Sequence, residues 1–248
     1  MQILRISAVS YLNSLPFVYG IKNSGFLKNI ELSLDVPSAC AGKLISGNAD
    51  LGLVPVAAIP LIKNARIVSD FCIGADGKVQ TVLLISRKPL AEIRKVHLDL
   101  ESRTSVGLAK VLAKEYWKIL PHWEPLLATV RFEDIEAAVL IGDKTFSLPE
   151  GFTYIYDLAA EWKEFTGLPF VFACWVANRK ISQEQEQALN NAFAFGVAHI
   201  DQAAAEKHDI PITKDQLLRY LRFNVSFNFN KKKKEALKLF LEKLAAIG

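Results

Sequence analysis

The chain has 248 residues, 51% hydrophobic and 23% charged, with a formal net charge of +4. That length exceeds a common single domain of roughly 100–150 residues and supplies enough apolar side chains for a large core. No run approaches the roughly 18 apolar residues of a membrane span, and Arg5 interrupts an apolar start too short for a secretory core, so a cytoplasmic protein without a membrane partner is expected.

The first strand-like run, from Ile3 to Val9, ends in Ser10-Tyr11-Leu12-Asn13. Ser14-Leu15-Pro16-Phe17 then opens a helix with proline in its first turn, where a missing N–H costs least. Ile30 to Val36 alternates apolar and polar residues as a half-buried strand does, and Pro37-Ser38 starts a helix through Ile45 with Ser38 as its N-cap. Gly47 to Asp50 ends that helix. Leu51 to Val54 is a short apolar strand of the kind buried on both faces, and Pro55 to Ile59 begins another helical turn. Val79 to Ser86 is a longer strand. A second unit begins with a strand at Val96 to Asp99, the turn Ser102 to Ser105 and an amphipathic helix from Val106 to Trp117. It continues through strands at Val130 to Phe132 and Ala137 to Ile141. Phe170 to Val176 is strongly apolar and is expected to pair with Val82 to Ile85 as a crossover. Glu184 to His199 has helical spacing, and Phe223 to Phe229 reads as an aromatic strand. Lys231 to Lys234, which equals the whole positive excess, is expected to be the solvated start of a last helix over Glu235 to Leu244.

This order of strands and helices predicts an α/β fold with parallel sheets, in two lobes with a cleft between them and two crossover strands. Residues 1–86 with 176–248 are expected to form lobe 1, and residues 87–175 an inserted lobe 2. No basic stripe interleaves with aromatic residues, so no nucleic-acid partner is expected. Cys40, Cys72 and Cys174 are widely spaced and odd in number, which fits reduced thiols buried in the core and offers no metal-ligand spacing. No nucleotide, cofactor or metal motif stands out, and nothing fixes an oligomeric state.

Four turns fall where open α/β sheets hold ligands, at the carboxyl ends of strands. They are Ser10 to Asn13, Pro55-Val56, Ser102-Arg103-Thr104-Ser105 and Ile141-Gly142-Asp143. The Ser102 turn joins free backbone N–H groups, hydroxyls and a helix dipole beside Arg103, which is the chemistry of an anion site; the same residues also describe a plain N-cap. Asp143 reads equally as a contact between lobes or a turn former. His97, His122, His199 and His208 lie outside these turns and read as core or surface residues. Trp162, Phe165 and Trp175 either wall the cleft or pack the core, packing being the expectation for at least two of them.

Taken together, Ser10-Tyr11-Leu12-Asn13, Asp50 to Val56, Ser102 to Val106, Val139 to Asp143 and Glu161 to Phe172 resemble the signature segments of the chorismate dehydratase family. The likeness runs from residue 3 to about 178 and continues more weakly through Tyr220-Leu221. It implies a type 2 periplasmic-binding-protein-like fold without an export signal. It also implies the step that opens the futalosine route to menaquinone, in which chorismate loses water across its C3–C4 bond to give 3-[(1-carboxyvinyl)oxy]benzoate, with no cofactor. Asn13 becomes the central catalytic residue by this resemblance. Ser10, Tyr11, Pro55, Val56, Thr81, Arg103, Thr104, Ser105 and Gly142 are expected to bind the substrate and its two carboxylates. Thr81 stands where the family pattern has serine, and Asn228-Phe229-Asn230-Lys231 replaces a glycine-containing turn.

An amide cannot accept a proton at neutral pH. The C3 proton therefore passes to Asp143, with Asp99 behind it, or to the enolpyruvyl carboxylate of the substrate itself, and the substrate-assisted route is the expectation. Two alternatives stand beside the dehydratase. The sister 1,4-dihydroxy-6-naphthoate synthase opens with a Ser-Pro-Cys-Pro-Asn-like segment unlike Ser10 to Asn13. A non-catalytic cytoplasmic binding protein for a small dicarboxylate is the other, although such proteins ordinarily carry an export signal.

Overall fold

The computed structural model describes residues 3–247. In chain order it contains β1 (Leu4–Val9), α1 (Leu15–Asn23), β2 (Ile30–Asp35), α2 (Pro37–Ile45), β3 (Leu51–Pro55), β4 (Arg66–Ala75), β5 (Val82–Ser86) and β6 (Lys95–Leu98). There follow α3 (Arg103–Val111), β7 (His122–Pro125), β8 (Ala137–Ile141), β9 (Tyr154–Asp157), α4 (Leu158–Thr166) and β10 (Phe170–Ala177). The C-terminal part holds α5 (Gln183–Ala198), α6 (Ile200–Ala205), α7 (Lys214–Arg219), β11 (Ser226–Asn228) and α8 (Lys231–Ile247). Among the described residues no helix is long and apolar enough to cross a membrane.

Two sheets carry these strands, a larger one in the order β11-β4-β10-β3-β1-β2 and a smaller one in the order β7-β6-β8-β5-β9. β1 runs parallel to β2 and β3, and β6 runs parallel to β7 and β8, but β10 is antiparallel to β3 and β4 and β5 is antiparallel to β8 and β9. The sheets are therefore mixed rather than parallel throughout. The chain passes between them twice, and each returning strand enters opposite in direction to the strands that await it.

β5 pairs within the smaller sheet and β10 within the larger, so the expected pairing of Phe170–Val176 with Val82–Ile85 does not occur. An apolar run reveals a buried strand but carries no mark of its partner. By sheet membership we place the lobe boundaries within residues 76–81 and 158–169, instead of at 86/87 and 175/176. Strands β4, β7 and β9 add to those read from the sequence, while Val130 lies in a turn ahead of a short 3-10 turn at Phe132–Asp134. Helix α3 begins at Arg103, and the segment after it, Leu112–Trp117, winds as a π turn. Ser38 does not cap α2: the N-cap is Val36, which offers no side chain to the helix, and Pro37 supplies the missing donor's place instead.

Aromatic packing settles the three large residues left open above. Trp175 stacks on Phe193 with ring centroids 4.5 Å apart, Trp162 meets Phe170 edge-on at 5.4 Å, and Phe165 stacks on Tyr116 at 5.2 Å. None of the three walls the cleft. The lysine run also departs from expectation, because Lys233 is only 1% exposed while its three neighbours face solvent. Its ammonium reaches back to Ser226 Oγ at 2.8 Å and Cys72 Sγ at 3.6 Å, which ties α8 to β11 and β4. Asn230 Oδ1 accepts the Lys233 N–H at 3.1 Å, so the turn that replaces a glycine motif serves as a helix cap.

Helices α1 and α5 touch backbone to backbone. A Cβ on Gly20 would lie 1.9 Å from the carbonyl oxygen of Ala192, and one on Gly196 would lie 1.8 Å from that of Pro16. Gly196→Ala should therefore push the helices apart and destabilise the protein by about 2 kcal/mol or more in urea unfolding, the range of an overpacked core.

Asp50 joins β1, β3 and the end of β10. Its carboxylate accepts from Arg5 Nη2 at 2.9 Å and the Arg5 backbone N–H at 3.0 Å, and pairs with Arg179 Nε at 3.1 Å. Burial alone would raise its pKa, but hydrogen bonds from Arg5 and the nearby charge of Arg179 outweigh burial and hold it at about 2. A carboxyl depressed in the folded state stabilises above its unfolded value and loses that contribution as pH falls through its folded one. Urea midpoints should fall between roughly pH 4 and pH 2 in the wild type, and Asp50→Asn should flatten that fall.

Candidate active site

The site is built on a single 3-10 turn, Leu12–Ser14, that follows β1. Ser14 Oγ donates to the carbonyl of Val9 and is 2.8 Å from that of Tyr11, which folds the turn back on the strand end. Across the cleft the Asp143 carboxylate accepts the Leu12 N–H at 3.1 and 3.3 Å. Asp143 follows β8 in the smaller sheet, so of the two readings open for it the contact between lobes is the one realised. Two more bonds cross the same gap: the Tyr11 hydroxyl donates to Glu101, and the Ala57 N–H donates to Thr104 Oγ1 at 3.1 Å. Lys144 braces Glu101 at 3.3 Å and Asp99 at 2.5 Å.

Between the lobes lies a narrow cavity of ≈ 50 Å³. Tyr11, Asn13, Pro55, Thr81, Ser105 and Gly142 line it, all expected from the sequence. Ser10, Val56, Arg103, Thr104 and Asp143 do not. Ser10 and Arg103 are exposed, Val56 is in the core, and Thr104 and Asp143 are engaged in the bonds between lobes. At Gly142 glycine is required twice over: φ is +69°, and a Cβ would fall 2.7 Å from the Tyr11 ring.

The polar part of the lining is neutral. Ser102 caps α3, its Oγ accepting the Ser105 N–H at 3.3 Å, and both serines face the cavity. The N-cap reading is realised, and it sets the positive end of the helix dipole beside two hydroxyls at the cavity. Asn13 Oδ1 is buried and has no hydrogen-bond partner. Thr81 follows Gln80, whose φ of +68° places a side-chain-bearing residue in the left-handed region. The Gln80 N–H donates to Asp157 at 2.7 Å, which anchors that strained residue. No carboxylate, histidine, lysine, arginine or cysteine lines the cavity among the described residues. Tyr11 is the one titratable side chain there, and burial and its bond to Glu101 push its pKa up, keeping it a neutral phenol. Burial also raises the pKa of Asp143, against the stabilising Leu12 N–H.

Ser102, read from the sequence as part of a candidate turn but not among the expected binding residues, lines the cavity as well. Phe172 lies within a recognised strand, whereas Ile73 belongs to β4, which gave no strand signal strong enough to read. Among the described residues no group of three or more His, Cys, Asp or Glu side chains is arranged to hold a metal.

A family model described as menaquinone biosynthesis matches residues 4–246. The chain belongs to the menaquinone biosynthesis family. It is 28% identical to a chorismate dehydratase of Thermus thermophilus, over 94% of this chain and 92% of that relative. It is 27% identical to a 1,4-dihydroxy-6-naphthoate synthase of the same organism over 52% of this chain and 50% of the relative. Among solved structures, protein AF1704 of Archaeoglobus fulgidus superposes with a TM-score of 0.78 at 17% identity, covering 99% of this chain and 97% of that one. The periplasmic aliphatic sulphonate binding protein of Escherichia coli superposes with a TM-score of 0.63 at 15% identity, covering 100% and 92%. This menaquinone biosynthesis family member therefore has the two-lobed periplasmic-binding-protein-like fold.

In the family member's turn, Asp143→Ala should leave the Leu12 N–H without its acceptor. We expect a loss of about 1–3 kcal/mol in urea unfolding, with faster amide exchange at Leu12, and a smaller loss for Asp143→Asn, which retains an acceptor.

Proposed function

We propose that the protein is a chorismate dehydratase that removes water from chorismate to give 3-[(1-carboxyvinyl)oxy]benzoate, the opening step of the futalosine route to menaquinone. One observation carries the mechanism: among the described residues the cavity holds hydroxyls, an amide and a helix N-terminus but no side chain able to act as a base at neutral pH. Such a site suits a substrate that brings its own base.

Chorismate does so. The enolpyruvyl carboxylate takes the proton from C3, the C3–H electron pair enters the ring, and the C4–O bond breaks. The departing hydroxide leaves as water once protonated, and the ring becomes aromatic, so the driving force resides in the substrate. The protein's part is to hold one geometry in a pocket screened from solvent. Ser102, Ser105 and the N-terminus of α3 receive one carboxylate. Asn13 and Thr81, which also line the cavity, orient the reacting carbons.

Asp143 positions the Asn13 turn through Leu12 and handles no proton in this account. Similarity to the Thermus dehydratase along nearly the whole chain supports the assignment. The naphthoate synthase likeness covers half of it, and the opening Ser10-Tyr11-Leu12-Asn13 differs from that enzyme's pattern. A cytoplasmic setting fits Cys72 and Cys174, which face one another across paired strands as free thiols.

Purified protein incubated with chorismate should yield an aromatic product one water lighter, followed by absorbance and mass. Asn13→Ala should abolish turnover, and Asp143→Asn should retain it. Tight binding without product from the wild type would favour a binding protein, and loss of turnover with unchanged affinity in Asp143→Asn would favour a protein base.

A further inference from the structure

Tyr220 lies outside the four turns that form the cavity and follows them by many residues in sequence. It opens a π-helical turn, Tyr220–Asn224, directly after α7. Single π turns inside helices widen the backbone and recur at functional sites. The side chain is 2% exposed, and Phe146 packs edge-on against its ring at 5.3 Å. Its hydroxyl stands 2.9 Å from Thr81 Oγ1 and lies beside the Asn13 side chain. Thr81 and Asn13 line the cavity, and Tyr220 lies behind both.

A phenylalanine would fill the same volume in this apolar setting, so the hydroxyl needs its own account. A phenol offers one donor and acceptor capacity together. It can therefore bridge a hydroxyl from the smaller sheet and an amide from the larger one. Burial pushes its pKa up against the opposing effect of Thr81 and Asn13, which keeps the hydroxyl protonated across the working range. Asn13 has two flip orientations that exchange its donor and acceptor, and its Oδ1 is buried without any partner in the protein. Whatever fixes the other end of that amide decides which polar atom the cavity presents.

We propose that Tyr220 is a positioning residue: its hydroxyl locks the Asn13 amide in one orientation and aligns the Thr81 hydroxyl, so that each presents one fixed polar atom to the substrate. The kinetic arm of the test rests on the dehydratase reading, whereas the spectroscopic arm does not. In Tyr220→Phe, kcat for chorismate should fall about tenfold with KM nearly unchanged, the signature of an interaction realised in the transition state. In the free protein, the two side-chain amide protons of Asn13, assigned by their loss in Asn13→Ala, should shift and exchange faster with solvent in Tyr220→Phe.

Support requires both changes. An unchanged kcat, a raised KM alone, or unmoved Asn13 signals overturns the proposal. If the wild type does not convert chorismate, the dehydratase reading fails, and the Asn13 signals alone decide: movement supports the positioning role, and constancy overturns it. If Tyr220→Phe does not fold, 3-fluorotyrosine placed at position 220 keeps the hydroxyl while making it a stronger donor. The Asn13 signals must then move, and constancy overturns the proposal.

Discussion

The site depends on one bond between lobes, from the Leu12 N–H to the Asp143 carboxylate. A 3-10 turn leaves backbone donors unsatisfied at its start, and the turn after β1 is too short to satisfy them internally. The smaller sheet supplies the missing acceptor from the end of β8. Because Asn13 rides on that turn, its position relative to Thr81, Ser102 and Ser105 follows from this contact. The Tyr11 ring lying on the Gly142 backbone and the bond from Ala57 to Thr104 act in the same direction, holding the two lobes closed around the cavity.

The charged groups near the cleft are used to join the lobes instead of to line the cavity. Glu101, Lys144, Asp99 and Asp143 pair with each other or with backbone and side-chain donors around the rim. Inside remain neutral dipoles, which can hold an anion without offering it a competing counter-ion or a base. Such a division suits a reaction whose acid–base groups travel with the substrate. Apolar walls such as Phe172 and Ile73 stand beside these dipoles, where each hydrogen bond acts in a low dielectric.

Much of the site was legible because strand ends carry local marks. Proline in the first turn of α1, the serine at the start of α3 and the glycine at the end of β8 each signal a turn by backbone chemistry that acts over a few residues. Six of the expected lining residues converge for that reason. The residues that failed to reach the cavity failed for a common reason as well. Ser10, Arg103 and Thr104 are neighbours in sequence of residues that do line it, and adjacent side chains at a strand end or helix start point in different directions. Lys233 shows the same limit at the surface: four lysines are identical in sequence, and only helix phase selects the one that is buried.

By itself the sequence determined the α/β class, most strand and helix locations, the four turns at the cavity and the family likeness, since periodicity, capping and turn chemistry are local properties. Tertiary structure alone decided that β5 and β10 belong to opposite sheets and that both sheets are mixed. It also decided that Asp143 faces a backbone N–H across the cleft, and that Tyr220 reaches Asn13 and Thr81 from near the C-terminus. These are contacts between residues far apart in the chain, chosen by which buried groups can satisfy one another, and no short segment carries a record of that choice.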